Sequence, residues 1–346
     1  MIIKKLSFLN VRKISLFNEN FLPETNIIVG PNGSGKTSVL EAICFLSSGK
    51  SFRKKYSKSI IKKGKEELKI QATIFEKEEK RIKIIYNGKK KQIFKNDEII
   101  KTTTELLRET AIVCVSPEEI DVIEEYKKEK QQYFDRIIFK NQPEHIKNIQ
   151  EYNKLLLYRN ALLENKMPTT PWDKKIVEIG SLVWKTRTSF FKTFNEVFNK
   201  TQKEINIKPN YEIKYIKTEP TNPFNYLTKL QKETTNPKTK VGPHQDTIEL
   251  YLNKENIKEH GSQGEKKLLK YILKLAEAEM LKTARSTQPI ILLDDFFAKL
   301  DNENIMKIFS YFHRKFQTII TTTNINDQTL KNIQKKHTKI KILNNK

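Results

Sequence analysis

Gly30-Pro31-Asn32-Gly33-Ser34-Gly35-Lys36-Thr37 fits G-x-x-x-x-G-K-[ST], the phosphate-binding P-loop. The run Asn26-Ile27-Ile28-Val29 before it reads as a buried strand, and residues 38–46 after it read as a helix. That order is what the motif needs. Its glycines let the backbone curl until successive N–H groups face a phosphate at the helix N-terminus. Lys36 is then the cation for the β- and γ-phosphates, and the Thr37 hydroxyl is a ligand for Mg²⁺. The stretch predicts an α/β fold organised around a nucleoside triphosphate.

A second strand completes such a site. Ile290-Ile291-Leu292-Leu293-Asp294-Asp295 reads as a buried strand ending in two carboxylates. Asp294, lifted to the sheet edge, would hold Mg²⁺ through water, and Asp295 would orient or deprotonate the attacking water. Strand-ending Asp pairs also cap helices, and the P-loop upstream favours the catalytic reading. Gly261-Ser262-Gln263-Gly264-Glu265 opens the amphipathic helix that precedes this strand. Ser262 and Gly264 present free N–H groups at a helix start, an anion site by dipole and geometry. Ser262 with Glu265 equally fits a capping box. In this order the segment resembles the S-x-G signature of ABC-type ATPases, where that helix end binds the γ-phosphate of ATP held by the opposite subunit. Ala298-Lys299-Leu300-Asp301 resembles the D-loop of that class, and Thr321-Thr322-Thr323 occupies its γ-phosphate-sensing switch position.

Between the two halves the pattern changes. Strand-like runs at residues 2–9, 67–76, 81–86 and 91–94, with an Asn87-Gly88 hairpin turn, precede the apolar strand at 111–115. From 116 to about 203 the apolar residues recur at helical spacing, broken at Met167-Pro168-Thr169-Thr170-Pro171. Strand patterns return at 211–216 and 247–252. The expected organisation is an ABC-type P-loop ATPase head with a helical second domain inserted: residues 1–119 and 205–346 form the ATPase, and 120–204 the helical arm.

Composition narrows the partner class. The chain of 346 residues carries 65 Lys+Arg against 41 Asp+Glu, a net charge of +24 that suits a polyanion such as DNA. Only nine of those cations are arginine. The abundance of Lys, Asn and Ile is also what an AT-rich coding sequence produces, so charge alone does not define a DNA-binding protein. Arg12 and Arg53 stand outside that bias, and their forked donors suit phosphate, Arg12 on ATP and Arg53 on ATP or DNA. His244, next to a Gly-Pro turn, reads as structural. No apolar run is long enough to span a membrane, no signal-peptide core follows Met1, and Cys44 and Cys114 sit in apolar stretches, as reduced thiols of a cytoplasmic protein would.

Matches in order along nearly the whole chain resemble the RecF family, bacterial recombination-repair ATPases of the SMC-like ABC branch. They are Asn10-Val11-Arg12, the P-loop with Leu40-Glu41-Ala42, Gly49-Lys50-Ser51-Phe52-Arg53, Ser116-Pro117-Glu118, Tyr158-Arg159-Asn160-Ala161-Leu162-Leu163, Gly242-Pro243-His244-Gln245-Asp246, Ser262-Gln263-Gly264, Leu293-Asp294-Asp295 and Leu300-Asp301. The chain departs from the family at Gln245, where Arg is usual, at Ala298-Lys299, where Ser-Glu is usual, and at residues 130–135, which lack the expected arginines. The resemblance implies a slow ATPase that dimerises on ATP, clamps DNA as duplex or at single-strand/duplex junctions, and works with RecO and RecR to place RecA on gaps. An ABC-type head of another DNA-processing or defence system is the alternative. Such heads usually carry a long coiled coil or an appended catalytic domain. A transporter subunit would need a Gln loop and a switch His, and a P-loop kinase would leave the Ser262 helix start unexplained.

Overall fold

Parallel strands covered on both faces are written as unbroken apolar runs, and the buried strands Ile112–Val115 and Ile290–Leu293 follow that rule. The computed structural model describes residues 1–52, 60–116, 123–124, 126–218, 222–233, 237–297, 302–323 and 338–343. The chain divides into two compact units, Met1–Asp121 with Thr201–Ile207 and Gln263–Lys346, and Val122–Lys200 with Lys208–Ser262.

The first unit opens with β1 (Ile2–Val11), β2 (Ile14–Asn20), β3 (Thr25–Val29) and α1 (Lys36–Ser48). It continues with β4 (Leu68–Phe75), β5 (Glu79–Tyr86), β6 (Lys91–Lys95), β7 (Glu98–Ile100), α2 (Thr103–Glu109) and β8 (Ile112–Val115). The second unit holds α3 (Lys127–Asn141), α4 (Glu144–Glu164), most of α5 (Thr170–Ile205), β9 (Tyr211–Ile216), α6 (Pro223–Lys232), β10 (Thr247–Leu252), β11 (Glu255–Asn256) and α7 (Ile257–His260). The chain returns to the first unit with α8 (Gln263–Arg285), β12 (Ile290–Leu293), α9 (Asn302–Lys315), β13 (Thr318–Thr322) and β14 (Thr338–Ile342).

Two sheets make the first unit. One is parallel, in the order β14-β3-β13-β12-β8. The other is antiparallel, in the order β2-β1-β4-β5-β6-β7, and its strands alternate buried and open residues. Helix α1 is apolar almost all round because it lies in one core with both. Val39, Leu40, Ile43, Phe45 and Leu46 cluster with Ile3, Leu6, Phe8, Ile70 and Ile82 of the antiparallel sheet and with Ile290, Leu292 and Ile319 of the parallel one. Each such buried side chain contributes about 1.5–3 kcal/mol. Cys44 belongs to this core and Cys114 to β8; both are buried, and neither is in a disulfide.

The structure differs from the sequence pattern in three places. Gln142-Pro143 separates α3 from α4, since proline cannot continue the first helix. Residues 208–262, with the β11-β10-β9 sheet, cluster with the helical unit although their strand pattern had suggested the ATPase half. Strand periodicity says which face is buried, and not against what. The Asn87 turn also spans four residues: Asn87 Oδ1 accepts from the N–H groups of Lys89 at 3.1 Å and Lys90 at 2.8 Å.

Candidate nucleotide-binding site

The P-loop leaves β3 and enters α1 through two left-handed glycines, Gly33 at φ 83° and Gly35 at φ 97°, where any Cβ would be strained. Gly30 is needed for space, since a Cβ there would stand 2.3 Å from the Leu343 carbonyl oxygen. Gly35 is the N-cap of α1, and no side chain caps it. Ser38 and Val39 donate to the Gly35 carbonyl at 2.9 and 3.2 Å, and the N–H groups of Lys36 and Thr37 are those that an anion at this helix start would take. The Ser34 hydroxyl is buried in the same loop with no hydrogen-bond partner among the described residues. Lys36 arches back over the loop and donates to the carbonyls of Gly30 at 2.6 Å and Pro31 at 2.8 Å. Burial pushes its pKa down, against the opposing pull of Asp295 and Asp294.

Residues far apart in sequence meet beside this loop. β13 lies between the P-loop strand β3 and β12. Thr37 donates to Asp294 Oδ1 at 3.0 Å across 257 positions of sequence, and Thr321 of β13 donates to the same oxygen at 2.6 Å. Ser116, after β8, donates to Asp294 Oδ2 at 3.5 Å. Asp295 takes a left-handed backbone, φ 50°, held by its N–H donating to Thr321 Oγ1 at 3.1 Å. A hydroxyl and a carboxylate are hard oxygen donors, the set that suits Mg²⁺ when phosphates and waters complete its shell. No group of three or more His, Cys, Asp or Glu able to hold a metal occurs among the described residues, so an all-protein metal cage is not the design there.

The remaining predicted residues fall as follows. Arg12 makes a bidentate pair with Glu41, Nε to Oε2 at 2.8 Å and Nη2 to Oε1 at 2.6 Å, and Glu41 is fully buried and also accepts from Ser51. Gly264 is the second residue of α8, and a Cβ there would meet nothing within 4 Å, while Ser262 immediately precedes the helix and is exposed. Arg53, Pro117, Glu118 and the Ala298-Lys299-Leu300-Asp301 segment lie outside the described residues. His244 sits in the second unit and bridges the Thr239 carbonyl at 2.9 Å and the Tyr152 hydroxyl at 2.7 Å. The carbonyl fixes a proton on Nε2, which leaves Nδ1 to accept from Tyr152. Burial lowers the pKa of this ring.

Sequence reasoning missed a buried network in the second unit. Asp246, fully buried, accepts from Trp184 Nε1 at 2.9 Å, the Thr218 N–H at 2.9 Å, Arg187 Nη1 at 3.4 Å and the Tyr215 hydroxyl. Arg187 also forks onto Asp135 at 3.0 and 2.8 Å, and His145 reaches Asp135 at 2.8 Å. Burial works to raise the Asp135 carboxyl, but Arg187 and His145 outweigh it and hold it below its ordinary value. Two departures from the family pattern meet here. Lys127 donates to Gln245 Oε1 at 2.7 Å, and Gln131 donates to the carbonyls of Asp246 at 2.6 Å and His244 at 3.2 Å. The scarcity of Arg was the available signal: Arg159 and Arg187 are both buried in ion pairs.

A P-loop strand separated by one strand from an acid-ending strand, with α1 held between two sheets, defines an ABC-type ATPase head. The sequence profile described as RecF/RecN/SMC N terminal domain matches residues 2–345, and the chain belongs to that family, within it to RecF. It is 30% identical to the DNA replication and repair protein RecF of Lachnoclostridium phytofermentans and 31% identical to that of Clostridium novyi, each over 94% of both chains. The solved structure of the recombination mediator protein RecF-ATPrS in the RecFOR pathway superposes with a TM-score of 0.81 at 28% identity, covering 94% of this chain and 93% of that one. An Smc head domain from Pyrococcus furiosus shares the fold at a TM-score of 0.53 and 17% identity, covering 95% of this chain and 91% of that one.

Proposed function

We propose that this chain is an ATP-gated DNA clamp of recombinational repair and replication. The observation that carries the reading is the Thr37–Asp294 contact at 3.0 Å beside an uncapped P-loop helix. In this reading ATP lies along residues 30–37, with Lys36 on its β- and γ-phosphates. Thr37 and Asp294 would hold Mg²⁺, which would supply positive charge beside the phosphates. Asp295, held in its unusual backbone by Thr321, orients the attacking water.

The second half of the site comes from another copy of the chain. Gly264 supports this. A glycine in a helix interior costs about 0.8–1 kcal/mol relative to alanine, and no neighbour of Gly264 among the described residues of its own chain requires it. A phosphate brought against that helix end by a partner would. Ser262 and Gly264 then close over the partner's ATP, and the paired heads present lysine-rich surface to DNA phosphates. Hydrolysis is slow and reopens the clamp. The relatives' names supply DNA replication, repair and the RecFOR pathway as the setting, and the family resemblance of the sequence adds action with RecO and RecR to assist RecA loading at gaps.

The test is DNA binding against salt, with and without ATP, for the wild-type chain and Lys36→Ala. Affinity that rises with ATP, falls with salt and loses its ATP dependence in Lys36→Ala supports the clamp. Nucleotide-independent binding in both proteins refutes it.

A further inference from the structure

The sequence points to Arg12 as the cation for ATP outside the P-loop. The structure pairs Arg12 with Glu41 and brings its neighbour to the loop as well. β1 and β2 pair with Val11 opposite Ile14, so Arg12 and Lys13 are the two central residues of a tight hairpin turn. That turn is pinned on every side. Arg12 has φ 54°, its N–H donates to the Ile60 carbonyl at 2.8 Å, and its guanidinium is bidentate on buried Glu41. Ile14 packs against the loop so closely that a Cβ on Gly35 would stand 2.9 Å from its Cδ1.

Lys13 is thereby held over the middle of the P-loop, its Nζ 3.9 Å from where a Gly33 Cβ would lie. It is exposed and makes no hydrogen bond or ion pair among the described residues. Glu41, the acid beside this turn, is taken by Arg12 and Ser51. Gly33 lies between the α1 N-terminus, which cradles the inner phosphates, and the Gly30 and Pro31 carbonyls that Lys36 reaches. An uncompensated ammonium fixed at that point meets an anion that brings its charge to the loop.

We propose that Lys13 is a second phosphate-binding cation of this site, reaching the β–γ end of a bound triphosphate over Gly33. The proposal rests on the nucleotide-binding reading above. It explains why a strained turn is anchored by a buried ion pair: the anchor aims the next residue. A charge-assisted contact of this kind, made to the terminal phosphate, favours ATP over ADP.

Calorimetric titration of the full chain with ATP and with ADP, each with Mg²⁺ and at protein concentrations where single chains predominate, tests it. Lys13→Ala is expected to weaken ATP about tenfold and ADP less than about threefold, with an unchanged melting curve, and Lys13→Arg to restore ATP binding to within about threefold of wild type. ATP affinity within about twofold of wild type in Lys13→Ala overturns the proposal, as does equal weakening of ADP. So does intact ATP binding with lost self-association, which would place Lys13 against a partner chain. Lys36→Ala is the control for the underlying reading. If wild type and Lys36→Ala both fail to bind either nucleotide, the site itself is misread, an outcome distinct from failure at Lys13 alone.

Discussion

Thr321 carries more of the site than a switch residue would. Its hydroxyl is fully buried, donates to Asp294 at 2.6 Å and accepts from the Asp295 N–H at 3.1 Å. One side chain thus fixes both the metal-binding carboxylate and the left-handed backbone of the residue beside it. Thr321→Val keeps the volume and removes both bonds. The donation to a carboxylate contributes about 1.5–3 kcal/mol, and an N–H left without a partner costs about 1–3 kcal/mol. Asp294 keeps Thr37 and its own N–H donation to Val115, so the losses are not complete. The expected net is a loss of about 2–4 kcal/mol in urea unfolding, together with at least a tenfold fall in single-turnover ATP hydrolysis as Asp294 and Asp295 lose their orientation. Thr321→Ser retains both bonds and should lie within about 1 kcal/mol of wild type. A valine variant within about 0.5 kcal/mol of wild type that hydrolyses ATP normally would refute the bracing role.

Gly264→Ala should leave the single chain as stable or raise its stability by up to about 1 kcal/mol, while abolishing ATP-dependent dimerisation in gel filtration; a dimer of normal affinity would remove the reason given for this glycine. Arg187→Met removes the guanidinium shared by two buried carboxylates, Asp135 and Asp246, and should cost about 3–5 kcal/mol in denaturant unfolding. Acid should weaken the second unit through two groups of the same sign. The depressed Asp135 contributes stability that is present above the ordinary carboxylate range and lost as pH falls through and below it. His244, whose pKa burial lowers from 6.5, is neutral in the fold, so its contribution is full above about pH 6.5 and shrinks as pH falls further. His244→Gln should flatten the pH 5–7 part of a melting-temperature profile, and an unchanged slope would count against the Tyr152–His244–Thr239 bridge as its source.

The P-loop was legible in the sequence because its chemistry is local. Consecutive backbone N–H groups, two left-handed glycines and a helix start within eight residues all follow from residue types at fixed spacing. The acid-ending strand was legible for a related reason: four apolar residues before Asp294 mark a strand buried on both faces. Order along the chain added the family, since many short matches in sequence need no coordinates. What joined them was tertiary. Which hydroxyls face Asp294 depends on β13 lying between β3 and β12 in one register, and a one-residue slip would turn Thr321 away. The Arg12–Glu41 pair depends on how a hairpin packs on α1, and so does the placing of Lys13 over the loop. Residues 208–262 joined the helical unit for the same kind of reason. Periodicity fixes the buried face of an element, while its partner is chosen by packing across long sequence separation.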